Sequence, residues 1–160
     1  MDRARALTPR PYAPGERPFP GGRTIAIMAH DPRDLDDSFL AFWRERHIST
    51  LTTTRPDGTP HVVPVGVTYQ PETGTARVIT SRTSRKARNV AEAGPGGQRV
   101  AVCQVDRARW STLEGVAVVR DEPEQVAEAE RRYAERYREP RVNPDRVVIE
   151  ITVDRVLGRA

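Results

Sequence analysis

Two tight turns separate three strand-like runs in the middle of this chain, and that spacing limits the fold more than any other feature. Ile48 to Thr54 is rich in threonine and reads as a strand. Arg55-Pro56-Asp57-Gly58-Thr59 follows, where proline pre-sets one dihedral and glycine takes the left-handed one. His61 to Tyr69 is rich in valine, and Gln70-Pro71-Glu72-Thr73-Gly74 turns again before Thr75 to Thr80. Parallel strands need long crossovers, so runs joined this closely return antiparallel.

The remaining pattern extends that sheet. Gln98 to Val105, Trp110 to Arg120 and Arg146 to Val156 read as further strands, with Gly115 marking a bulge or sharp bend. Residues 34–46 form an amphipathic helix, with Leu35, Phe39, Leu40, Phe42 and Trp43 near one face and Asp34 and Asp36 as caps. A second helix stops at Gly94-Pro95. A third opens at Asp121 and Pro123, runs to about Arg138, and lines one face with Val126, Ala129, Tyr133 and Tyr137. The order α-β-β-β-α-β-β-α-β predicts an α+β fold in which six antiparallel strands curl into a β-barrel with flanking helices. No strand is followed by the glycine-rich turn of a doubly wound parallel sheet.

Residues 1–33 differ in kind. They hold Pro9, Pro11, Pro14, Pro18, Pro20 and Pro32 with no apolar period, and read as an extended arm ahead of a domain over 34–160. The arm carries six arginines against Asp2, Glu16 and Asp31, a net of +3 of the chain's +4, so the folded part is left at +1. That balance gives no reason to expect a nucleic-acid surface. Without an apolar leader or membrane-length segment, a cytoplasmic protein with no membrane partner is expected. Cys103 is alone, which rules out an intrachain disulfide.

Acid–base equipment is sparse. His30, His47 and His61 do not fall at helical metal-ligand spacing, so no metal site is expected, and no Gly-x-Ser-x-Gly elbow is present. No side chain is assigned a catalytic role. A chain so equipped leaves the chemistry to a cofactor and supplies binding and orientation. Lys86 is the one lysine beside 25 arginines, and it sits in Ser84-Arg85-Lys86-Ala87-Arg88-Asn89. Ahead of it lie a strand and the small polar residues Ser81, Arg82 and Thr83. A helix N-terminus there offers unpaired N–H groups and a positive dipole end. The segment reads either as a phosphate cradle or as a solvated basic helix start.

Several stretches together resemble one family. They are Leu51-Thr52-Thr53-Thr54-Arg55 with Pro60 to Gly66, Val78-Ile79-Thr80, Ser84 to Asn89, Gln104 to Trp110 with Leu113-Glu114-Gly115, Arg132 to Arg138, Asn143-Pro144, and the closing run Val147 to Gly158. In this order they resemble the split β-barrel flavin and deazaflavin oxidoreductases, the pyridoxamine 5′-phosphate oxidase-like family, and within it the branch using coenzyme F420. The resemblance implies an FMN-binding-type split barrel and a homodimer acting on a small molecule. It implies that Lys86 and Asn89, with Ser84 and Arg85 beside them, hold the coenzyme phosphate. The ring would lie along His61, Val62, Val63, Pro64 and Val65, with Thr80 and Ser81 approaching it or its side chain.

The segment ending at Trp110 would come from the second subunit. Trp110 reads equally as a core or interface aromatic, and His61 as a solvent-facing or backbone-bonded histidine. Arg109 is a candidate for a substrate carboxylate. The expected reaction is hydride transfer from reduced F420 to a conjugated acceptor, a tetrapyrrole such as biliverdin being the specific expectation. The alternatives are an FMN-binding pyridoxamine 5′-phosphate oxidase-like enzyme and a non-catalytic coenzyme-binding protein.

Overall fold

The structure is a computed structural model that describes residues 29–159. The elements follow in the order β1 (Ala29–His30), α1 (Asp37–Arg44), β2 (Ser49–Thr54), β3 (Pro60–Val65), β4 (Thr68–Gln70), β5 (Thr75–Ser81), α2 (Arg85–Glu92), β6 (Gln98–Asp106), β7 (Arg109–Arg120), α3 (Pro123–Arg136) and β8 (Arg146–Arg159). Among the described residues the sheet has eight strands, all paired antiparallel, in the order β3-β2-β6-β7-β8-β5-β4, with β1 on β8.

The expected count was six strands, and two local features account for the difference. The single run expected over His61 to Tyr69 breaks at Gly66 into β3 and β4. The end of the proline-rich stretch also joins the sheet, where Ala29 pairs with Leu157 and His30 with Val156. His30 then packs at a tilt against Phe39 with ring centroids 4.5 Å apart. The rest of the expected arm, residues 1–28, lies outside the described residues.

The break at Gly66 also rolls the sheet. β3 and β4 are its two edge strands, yet only Gly66 and Val67 separate them in the chain. The sheet must therefore curl until its edges meet, but the two edges do not pair, which leaves a split barrel. α3 closes the seam. Arg136 donates to the carbonyl oxygens of Glu45 and Val67, and reaches Gln104 Oε1 at 2.7 Å. Tyr137 Oη accepts from Val67 N at 3.1 Å and donates to His47 O at 2.8 Å. Burial pushes the Arg136 pKa down, while carbonyl dipoles, the ring of Trp43 5.9 Å away and the nearby charge of Glu45 stabilise the guanidinium.

Inside the curl lies one apolar core that includes Leu51, Val67, Val78, Val102, Leu113, Ile149 and Ile151, capped by Phe39 and Trp43 of α1. The expected bulge is present, and of the expected caps Asp36 and Ser84 serve while Asp34 lies in the turn before the helix. Asp36 accepts from Ser38 N and Phe39 N at 2.9 and 3.1 Å, and Ser84 accepts from Ala87 N at 3.3 Å. β7 slips register against β8 between Glu114 and Gly115, where a Cβ on the glycine would lie 2.1 Å from Thr152 O. Among the described residues no helix is long and apolar enough to cross a membrane.

Candidate functional site

The seam opens on one side into a cavity of about 420 Å³. Its wall takes Pro64, Val65 and Gly66 from the end of β3, Ile79 from β5 and Lys86 from the first turn of α2. Tyr133 and the loop after α3 complete it, with Arg138, Glu139, Pro140, Arg141, Asn143 and Arg146. Local sequence explains the convergence. β5 ends at Ser81, the Arg82–Ser84 turn caps α2, and Lys86 follows two residues later. The opposite wall is tied to the same strand end, because Asn143 Nδ2 donates to Ser81 Oγ at 2.8 Å and Arg82 N to Asp145 O at 2.9 Å.

Lys86 is half-buried and meets no carboxylate or other hydrogen-bond partner among the described residues. Burial pushes its pKa down from the ordinary 10.5. A partly desolvated cation without a counter-charge facing a cavity is a place where an anion gains more than on open surface.

The other expected residues divide into cavity wall and support. Thr80 is buried and its Oγ1 donates to Ser84 Oγ at 3.1 Å, holding the cap of α2. Ser81 anchors the loop through Asn143. Arg85 is exposed and has no ion pair among the described residues. Asn89, expected at the phosphate, is on the buried face of α2 at 1% exposure and outside the cavity wall. Its Nδ2 donates to Thr53 Oγ1 at 2.9 Å, and Thr53 Oγ1 lies 3.3 Å from His61 Nδ1. The amide thus reaches His61 through Thr53, a role its helical spacing from Lys86 could not reveal. Desolvation, followed by the charges of Arg55, Lys86 and Arg85, pushes the His61 pKa below 6.5.

Along β3 the side chains alternate. His61 and Val63 turn partly inward and Val65 is buried, while Val62 and Pro64 are exposed. Among the described residues the strand pairs only with β2, which leaves the backbone groups of its outer edge available to a flat ring.

Two residues sit elsewhere than expected. Arg109 does not face the cavity: it donates to both oxygens of Glu45 at 2.9 and 2.8 Å and to Asp106 at 2.6 Å. Sequence spacing concealed this pairing, because Glu45 lies 64 residues away. Trp110 is at the start of β7, opposite Arg159 at the far end of β8 from the cavity residue Arg146. It does not line the cavity of its own chain.

Glu45, His47 and Asp106 also bring ligand-type atoms within 4.8 Å of one another. Arg109 already binds both carboxylates and, with His47, holds the Glu45 pKa at about 2. This is a compensated ion network.

Sequence reasoning passed over Tyr133. It grouped both tyrosines as helix packing, which describes Tyr137. Tyr133 stacks on Tyr137 at a centroid distance of 4.9 Å but presents to the cavity, and its hydroxyl has no hydrogen-bond partner among the described residues. The signal was Gly66, a glycine inside a strand pattern, which marks a close approach.

Comparison with known proteins agrees with this fold. Residues 35–160 match the pyridoxamine 5′-phosphate oxidase family. The F420H(2)-dependent biliverdin reductase of Mycobacterium tuberculosis is 50% identical over 133 residues, covering 83% of this chain and 94% of that protein. Among solved structures, a conserved hypothetical protein of Mycobacterium tuberculosis superposes with a TM-score of 0.64 at 24% identity, covering 80% of this chain and 86% of that one. A protein described as an F420 reductase does so at 0.59 and 24%, covering 76% and 98%. At these identities the two structures speak for the fold. With the family match spanning residues 35–160, this chain belongs to the pyridoxamine 5′-phosphate oxidase family.

Proposed function

We propose that this protein is an F420-dependent oxidoreductase that reduces a conjugated small molecule, with biliverdin or a related tetrapyrrole as acceptor. The observation that carries the reading is the half-identical relative that uses reduced F420 on biliverdin, over nearly its full length. The cavity fits the coenzyme's chemistry. Lys86 supplies an uncompensated charge for the phosphate beside the hydroxyl-capped start of α2, and the free edge of β3 supplies backbone groups for the ring.

Bound there, reduced F420 supplies the hydride. The chain's own residues orient and shield. Lys86, with Ser84 and Arg85 near it, fixes the phosphate end. Val65, Gly66 and Ile79 set the apolar wall, and Tyr133 offers a hydroxyl to the acceptor. Such a site works by placing the reacting carbons together and excluding water.

The working unit in this reading is a homodimer. Ile48 and Val105 are 64% and 58% exposed, and they lie one step beyond the Ser49–Gln104 pair on neighbouring strands. Trp110 pairs with Val105, which extends the apolar face across β7. A second copy covers this face and can bring its Trp110 to a cavity that the tryptophan of the same chain does not reach.

The test is to mix protein, reduced F420 and biliverdin without oxygen and follow coenzyme oxidation. Catalysed oxidation that needs both partners is the expected result. Protein isolated with stoichiometric FMN and inert toward F420 would instead make it an FMN enzyme of the same family.

A further inference from the structure

Several arginines on the elements around the cavity are met by an acid. Arg77 and Arg120 share Glu150, Arg132 meets Glu128, and Arg146 donates to Glu130 at 2.9 Å. Arg138 and Arg141 do not: both are exposed on the loop after α3, both line the cavity, and among the described residues neither side chain has an ion pair or hydrogen bond. Lys86 faces the same space from α2, and the one acid in the wall, Glu139, is paired with none of them. Gathering like charges around a concavity is unfavourable in the empty protein and focuses potential on an incoming anion.

The loop that carries them is a fixed frame. Asn143 and Asp145 tie it to the end of β5, Arg146 N donates to Asn143 O at 3.1 Å, and the Arg146 guanidinium holds the Arg141 carbonyl. Lys86 is a compact charge suited to a phosphate. The guanidinium forks suit planar carboxylates, which they bind through two parallel hydrogen bonds.

We propose that Arg138 and Arg141 form a carboxylate-recognition rim, separate from the Lys86 position, that selects ligands bearing carboxylate arms. This rests on the coenzyme reading above. Two sources carry that chemistry: the propionates of a tetrapyrrole acceptor and the glutamate tail of F420.

The experiment compares the parent with Arg138→Gln/Arg141→Gln. Direct binding of biliverdin and of its dimethyl ester is measured on coenzyme-free protein. Binding of F420 is measured against a trimmed form that keeps the phosphate but lacks the glutamates. The expected result is a loss of about tenfold for one carboxylate-bearing ligand, none for its ester or trimmed counterpart, and shrinkage of the effect at high salt. Whichever pair responds identifies the source. Arg138→Lys/Arg141→Lys should restore only part of the affinity, and an unchanged melting temperature in both variants separates recognition from folding. Equal losses for carboxylate and ester, or no loss for either ligand, would overturn the rim. A parent that ignores F420 counts against the coenzyme reading, and the biliverdin pair then decides the rim alone.

Discussion

A Cβ built on Gly66 stands 2.6 Å from Cε2 of Tyr133 and 3.3 Å from Cε2 of Tyr137, so the glycine is the notch in which this tyrosine pair sits. The contact joins the break between β3 and β4 to the wall of the cavity. It also explains the glycine by space instead of backbone strain, since Gly66 is not among the residues with positive φ.

Gly66→Ala should therefore force the ring of Tyr133 aside. The cost expected of such overpacking is about 1–3 kcal/mol in urea unfolding. The double variant Gly66→Ala/Tyr133→Leu should recover part of it. Unchanged stability in the single variant would mean that the seam yields freely.

The two tyrosines should separate under the same small change. Tyr137→Phe leaves the Val67 N–H and the His47 carbonyl without their partner, and should destabilise by about 1–3 kcal/mol. Tyr133→Phe breaks no internal hydrogen bond, so its stability should hold while turnover with a bound acceptor falls.

The Glu45–Arg109 pair has a definite pH signature. The folded-state pKa of Glu45 is depressed from 4.5 to about 2, so its stabilising contribution is complete above 4.5 and is lost as pH falls toward 2. Thermal melts of Glu45→Gln and the parent should differ near neutral pH and converge in acid. Because Arg109 serves this network, Arg109→Gln should leave the KM for the acceptor unchanged; a large rise would restore it as a substrate contact.

His61 should titrate below its ordinary 6.5, since desolvation and the nearby cations Arg55, Lys86 and Arg85 all oppose its protonation. It is then neutral at pH 7. An NMR titration with a midpoint above 6.5 would contradict this, as would a midpoint unmoved by raising salt, which screens the cationic part.

Much of the scaffold was legible because its signals are local. Asp36 and Ser84 cap helices as short polar residues do, Gly58 and Gly74 sit in turns with positive φ, and Gly115 marks a bulge. The runs of valine and threonine alternate as strands do. What escaped depends on pairings across the curled sheet. The β3–β4 break hinges on Tyr133, 67 positions beyond Gly66, and Arg109 is claimed by an acid at the end of α1. Lys86 stood out by composition, but the partnerless arginines of its cavity did not, because arginines are everywhere in this chain and only the structure tells paired from unpaired.

The most direct measurement is the dissociation constant of F420 for the parent and for Lys86→Ala, beside that of FMN for the parent. Tight binding of F420 in preference to FMN is expected. Lys86→Ala should lose about 1.5–3 kcal/mol of it, roughly ten- to a hundredfold, with an unchanged melting temperature and only partial recovery in Lys86→Arg. Equal F420 affinity in the parent and Lys86→Ala would contradict the placement of the phosphate at Lys86, and a preference for FMN would contradict the coenzyme itself.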